Sequence, residues 1–449
     1  MTNPAKITYD RDNFTVTGQL ATVYQDSAIW TTSPGRENFR PFRDFAKTTP
    51  SLDFSFYLYN LKHKSMKPSL LNLLLGLLII TSCSNPNLKT NGKKETASVI
   101  LPYRVEIEAN LKNIKSVSLS AVGKEIEYIP LETNAKSLIR RIVSIAFSKD
   151  YMFISDFERL TQFDRKGKFI RQVGAIGRGP GEYIYVSSYC IDEKSEKVYI
   201  MAWGINSILE FDFNGTFRRS FKTSFRSLQF FKTDSNNYVF VITNGPFGDD
   251  SEYRLIITDS TGAIKTKIRN YNRIFNKPPF VATVIPMYYF KDTIRILESR
   301  VDTLNTFVNT RHKPYAIFNL GQSKMETDLL FPSQNPESIK DKIWIYTISE
   351  NSEYLFMKLN LGLSDSTKLG VFNKQTSEVS FLDRNGFIND LDNGVTFWPK
   401  YIYRDNVLVD YQDAFILLEK IKKEHITGSD DILSKGLTET SNPVVIVVK

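Results

Sequence analysis

The sequence predicts an all-β fold: a six-bladed β-propeller of four-stranded antiparallel blades, with a short helical insertion near the C-terminus. Three observations carry that prediction. A turn with Asp three residues before Gly recurs in Phe163-Asp164-Arg165-Lys166-Gly167, Phe211-Asp212-Phe213-Asn214-Gly215 and Thr258-Asp259-Ser260-Thr261-Gly262, so the glycines step by 48 and 47 residues. A period of that length marks four-stranded units repeated around an axis. Each turn is flanked by short strand-forming runs. An apolar run at the C-terminus, 444–448, has a partner at the other end of the repeats in the alternating Glu125-Ile126-Glu127-Tyr128-Ile129.

The first repeat contains runs at 141–147, 151–155, 160–164 and 169–173, separated by the polar turns Ser148-Lys149-Asp150, Asp156-Phe157-Glu158 and Arg165-Lys166-Gly167. Such tight polar turns give one up-and-down meander. The second repeat reads through 187–192, 197–202, 208–212 and 217–221, the third through 228–232, 238–243, 254–259 and 263–268. In all three an Asx-rich turn ending in Gly joins the third and fourth strands, where glycine supplies positive φ without strain.

Later repeats are looser. The fourth covers 287–291, 294–299, 304–308 and 315–320, with Gly321 at 59 residues from Gly262, so insertions have entered. The fifth covers 343–349, 354–359, 368–373 and 379–383, and the sixth begins at 398–403 and 407–411. Asp413 then caps a helix in which Ala414, Leu417, Leu418 and Ile421 hold helical spacing ahead of Lys422-Lys423. A ring of blades loses its edges only when its last blade takes a strand from the other end of the chain, so 125–129 is expected beside 444–448, with Pro130 halting it. Six blades over 125–449 average about 54 residues each. Five or seven are the alternatives.

Length and charge exclude some functions. A propeller uses most of 449 residues as one unit. Of the net charge of +9, residues 1–65 supply +2 and 66–82 supply +1, and the remaining +6 is spread without a basic run. Nucleic-acid binding needs Lys and Arg clustered on one face, so none is expected. Two cysteines, Cys83 and Cys190, are too few for a disulfide framework or a Cys-rich metal site.

Met66-Lys67-Pro68-Ser69 opens a segment whose residues 70–80 are apolar apart from Asn72 and Gly76, and which ends in Ile80-Thr81-Ser82-Cys83. A positive start, eleven mostly apolar residues and small residues before a break read as a secretory signal, too short to span a bilayer. The ending resembles the bacterial lipobox, which implies lipidation at Cys83 and attachment to a membrane. The expected organisation is therefore an upstream extension at 1–65 outside the mature protein, a signal peptide at 66–82, a flexible tether at 83–98 and the propeller at 99–449.

Tyr128-Ile129-Pro130-Leu131-Glu132-Thr133, the turn Phe163-Asp164 through Gly167, Gly177-Arg178-Gly179-Pro180-Gly181-Glu182-Tyr183 and the terminal Asn442-Pro443-Val444-Val445 together resemble the six-bladed propeller lipoproteins of Bacteroidota. Those proteins are similar in blade design to NHL-repeat propellers. The resemblance spans roughly 99–449 and implies a cell-envelope protein without established catalytic residues. Surface-exported members often carry acidic residues after the lipidated Cys. Ser84-Asn85-Pro86-Asn87 has none, so a periplasm-facing outer-membrane anchor is expected.

Up-and-down topology places the link between two blades on the same face as the loop between strands two and three. The link at 177–183 and the loop holding Asp156 and Arg159 should therefore meet at the mouth of the central channel, with Trp203 and Asn206 of the second blade and 244–250 of the third. Three glycines leave room for backbone amides to converge on an anion, with Arg178 adding charge. The expected ligand-binding set is Arg178, Glu182, Tyr183, Asp156, Arg159 and Trp203, suited to a glycan or other anionic ligand. The other reading of the link is a rigid turn, with Arg178 and Glu182 paired to neighbouring blades.

No metal or cofactor is expected. His63, His312 and His425 are the only histidines, and none has a His or Cys at ligand spacing, unlike the His-rich lyase sites of some NHL-type propellers. Asp249, Asp250 and Glu252 lack a calcium-loop signature, and no helix follows the glycines as a nucleotide fingerprint requires. The sequence favours a lipid-anchored binding or scaffolding module over a hydrolase or lyase working in the channel.

Overall fold

A strand buried on both faces has no reason to alternate, and Val444–Val448 is apolar throughout for that reason. Val445 and Val447 pack on the first blade, while Val444, Ile446 and Val448 pack on the fifth. The computed structural model describes the backbone of 6–9 and 14–17, and residues 101–449 apart from 203–204, 228, 234, 243–251, 271–284, 298–301, 309–310, 326–336, 338–339, 363–366, 384 and 425–435. Lys6–Tyr9 and Phe14–Thr17 form an antiparallel pair.

The remaining strands make six blades. Blade one is Ser144–Phe147, Tyr151–Ser155, Leu160–Asp164 and Phe169–Val173, and blade two is Val186–Asp192, Lys197–Ala202, Ser207–Asp212 and Phe217–Lys222. Blade three is Gln229–Lys232, Tyr238–Val241, Tyr253–Thr258 and Ile264–Arg269, and blade four is Met287–Phe290, Thr293–Leu297, Thr303–Val308 and Arg311–Asn319. Blade five is Ile343–Glu350, Tyr354–Leu361, Thr367–Asn373 and Val379–Leu382. Blade six joins Tyr401–Tyr403, Val407–Gln412 and Val444–Val448 to Ile126–Pro130 from the far end. That closure runs in register from Val444 opposite Pro130 to Val448 opposite Ile126.

First strands of adjacent blades approach one another, between two and three, five and six, and six and one. They therefore surround the axis, and the fourth strands form the rim. The core is divided accordingly into six apolar clusters among the described residues, one at each interface between blades.

Three features depart from the sequence expectation. Pro130 is itself the last residue of the closing strand, because on an outer strand its missing N–H leaves no ladder bond unmade. Tyr103–Glu106 and Ile114–Lys115, which no strand pattern announces, add as fifth, parallel strands to the rims of blades four and five. They are two to four residues long, and their partners lie more than 200 residues away. Blade six also starts at Tyr401 rather than 398, since Trp398 is spent on the link before it.

Among the described residues no further strand pairs with the rims of blades two and three, which carry Arg218, Arg219 and Lys222, and Lys265, Lys267 and Arg269. Charged side chains on an open edge discourage pairing with other chains. The expected helix is present at Ala414–Glu424, with Ala414, Leu417 and Ile421 buried against blade six. Among the described residues no helix is long and apolar enough to cross a membrane.

Candidate functional site

The loop 156–159 and the link 174–185 do meet. Val186 N donates to Phe157 O at 2.8 Å, and Leu160 N donates to the Tyr183 hydroxyl at 3.2 Å. Two hydrogen bonds so placed make loop and link one body.

Within that body the expected residues do different things. Asp156 is buried and its Oδ1 accepts from Arg159 N at 2.9 Å, while Asp156 N donates to Arg159 O at 3.2 Å, which closes the turn. Burial raises the Asp156 carboxyl above its ordinary range, with the Arg159 amide and guanidinium opposing it. Tyr183 is fully buried, and its hydroxyl donates to Val173 O at 2.7 Å. Its ring belongs to the core between blades one and two, so it holds the link rather than facing solvent.

The glycine link has already found its anion. Gly179 N donates to Glu182 Oε2 at 2.7 Å, and a Cβ on Gly177 would stand 2.1 Å from the same oxygen. Glu182 thus folds into its own link, and Arg178 stays exposed. Trp203, 244–250 and Cys83 lie outside the described residues.

Sequence reasoning passed over Phe157 and Tyr185. Their rings stack at 5.0 Å between centroids and 21° between planes, and Tyr185 is 36% exposed. Phe157 holds φ at +78°, a left-handed conformation that is an outlier for a bulky residue. Its N–H donates to Ser155 Oγ at 3.2 Å, and its carbonyl is the acceptor from Val186, so the strained residue is held on both sides. The available signal was an aromatic at the centre of Asp156-Phe157-Glu158, where turn residues are usually small or polar.

No metal site emerges among the described residues: no three of His, Cys, Asp and Glu gather to hold an ion. His312 lies on the rim of blade four, with Nε2 3.2 Å from Arg254 Nη2. His63, His425, Asp249 and Asp250 fall outside the described residues.

The fold defines a six-bladed β-propeller in which a loop and a link are hydrogen-bonded together between blades one and two. The chain belongs to the DUF4934 family, a domain of unknown function, whose model matches residues 102–449. No curated protein matches it. An inferred exported protein of Bacteroides fragilis is similar in structure, with 17% identity, a TM-score of 0.62, and coverage of 77% of this chain and 99% of that one. A DUF4221 family member from Bacteroides vulgatus is similar at 11% identity and a TM-score of 0.43, over 73% of this chain and 96% of that one. At 17% identity the likeness to the Bacteroides fragilis protein speaks for the fold alone.

Proposed function

We propose that this protein is a lipid-anchored binding or scaffolding propeller of the bacterial cell envelope, taking a glycan or other anionic ligand at the mouth between blades one and two. The observation that carries this reading is the pair Phe157 and Tyr185, a strained aromatic backing an exposed one on two loops bonded into one body. Strain of that kind persists only where the surroundings over-determine it, and it gathers at binding sites. Tyr185 offers a partly exposed ring, and Arg178 an exposed charge on the same link. Asp156, Glu182 and Tyr183 shape the loops, and Arg159 closes the turn.

Envelope location is supported by the signal-like segment at 66–82 and by the description of the Bacteroides fragilis structure as an exported protein. Lipidation at Cys83 is tested by mass spectrometry of the native protein. A mature N-terminus at a diacylated Cys83 is expected; peptides from 1–65 in cells overturn it. The ligand reading is tested by glycan-array and peptide screening followed by titration. Arg178→Ala should weaken a true ligand by roughly 1.5–3 kcal/mol, and Tyr185→Ala should also weaken it, neither with loss of melting temperature. Normal binding by both variants makes the loops structural.

A further inference from the structure

On the outer flank of blade one, Lys136, Arg159, Arg171 and Gln172 line a cavity of about 450 Å³ whose walls include Phe169 and Ile170. Three cations reach it from three separate elements. Lys136 comes from the link out of blade six, Arg159 from the loop between the second and third strands, and Arg171 from the rim strand. No carboxylate is among the lining residues.

The two guanidinium groups are incompletely satisfied within the protein. The Nε atoms of Arg159 and Arg171 are both shielded from solvent and have no hydrogen-bond partner. Arg171 Nη1 donates to Asn214 O. Arg159 Nη2 stands 4.0 Å from Glu158 Oε2, whose other oxygen is taken by Arg140 Nη1 at 2.6 Å. Buried N–H groups of a folded protein nearly always have a partner, and two arginines lining one cationic cavity, each with an unpaired guanidinium N–H, favour an added acceptor there.

We propose that this cavity binds a tetrahedral oxyanion, a phosphate or sulfate group. Three positive charges without a lining carboxylate attract a negative group. Guanidinium forks match the spacing of its oxygens, and Phe169 and Ile170 accommodate the carbon skeleton of a monoester. The site shares only Arg159 with the mouth residues and does not depend on the reading of Phe157 and Tyr185.

The test is calorimetric titration of the full chain at low ionic strength with inorganic phosphate, inorganic sulfate, glucose 6-phosphate and glucose 6-sulfate. One saturable site is expected. Arg159→Ala and Lys136→Ala should each weaken it by about tenfold or more, while Arg178→Ala leaves it within about twofold. Lys136 is exposed, so its variant keeps the test decisive if Arg159→Ala lowers the folded yield. Tighter binding of the sugar esters identifies a group carried on a glycan, and equal binding of the inorganic ions identifies a free anion; both uphold the site. Absence of saturable binding to all four probes overturns it. So does binding that Arg178→Ala abolishes and Lys136→Ala leaves intact, which moves the anion to the glycine link and leaves the mouth reading standing.

Discussion

Gly167 packs so closely against Pro130 that a Cβ on the glycine would stand 2.3 Å from the proline carbonyl oxygen. Gly262 meets the carbonyl of Lys222 at 2.7 Å in the same way, and Gly215 meets Arg171 Cδ at 2.9 Å. Each repeat glycine is thus the point where the last turn of a blade lies against the rim strand of the blade before it. All three have φ between +81° and +90°. A β-bulge precedes each turn, at Gln162/Phe163, Glu210/Phe211 and Ile257/Thr258. In two of the three turns the Asp carboxylate caps it: Asp164 Oδ1 accepts from Lys166 N and Lys168 N, and Asp259 Oδ1 from Thr261 N and Ala263 N.

Substitution should separate these glycines. Alanine at any of them costs about 1–2 kcal/mol for the left-handed backbone. At Gly167 and Gly262 the obstacle is backbone and must be displaced, adding about 1–3 kcal/mol of overpacking. At Gly215 it is a flexible arginine side chain, which can swing away. Urea unfolding should therefore rank Gly167→Ala and Gly262→Ala as clearly worse than Gly215→Ala, and equal losses at all three would show that φ alone matters.

Glu350 is enclosed between blades four and five with two cations. Arg295 Nε lies 2.9 Å from its Oε1 and Lys374 Nζ 2.5 Å from its Oε2, with the Tyr315 hydroxyl donating to Oε2 at 2.8 Å. Removing this anion takes the hydrogen-bonded carboxylate from two buried positive charges. Glu350→Gln should cost about 3–5 kcal/mol, and adding Lys374→Met should recover part of it. A Glu350→Gln protein that melts with the parent would mean that water reaches the cluster.

Asp156 supplies a pH test. Its carboxyl is raised above 3.8, chiefly by burial, so the folded chain keeps this proton to higher pH than the unfolded chain does. Stability falls as pH rises from 3.8 through the raised value, and above it the fold carries a charge that burial disfavours. Asp156→Asn retains an acceptor for Arg159 N without the charge. It should melt above the parent at neutral pH, with the gain vanishing as pH falls below 3.8. A gain that persists unchanged in acid would assign the effect to something other than this titration.

Ring closure rests on Val444–Val448, five residues buried to 1% exposure or less. Deleting 443–449 opens two apolar interfaces and leaves Ile126–Pro130 without its partner. Loss of the cooperative melt and association on gel filtration are expected. A monomeric deletion variant melting at the parent temperature would count against closure.

Local chemistry was enough to read most of the architecture. The Asp-to-Gly turns, the strands around them, the helix after Asp413 and the doubly buried run at 444–448 all follow from φ preference, period and apolar content, which are properties of short segments. The parallel strands Tyr103–Glu106 and Ile114–Lys115 were not legible, because a two- to four-residue strand takes its existence from a partner remote in sequence. The site divides in the same way. Sequence placed loop and link on one face, since topology alone requires it. Only tertiary packing decided that Tyr183 turns inward, that Glu182 answers its own glycines and that Phe157 is forced left-handed against Tyr185. Those outcomes depend on which blade surface lies behind each side chain, and a linear period carries no record of that.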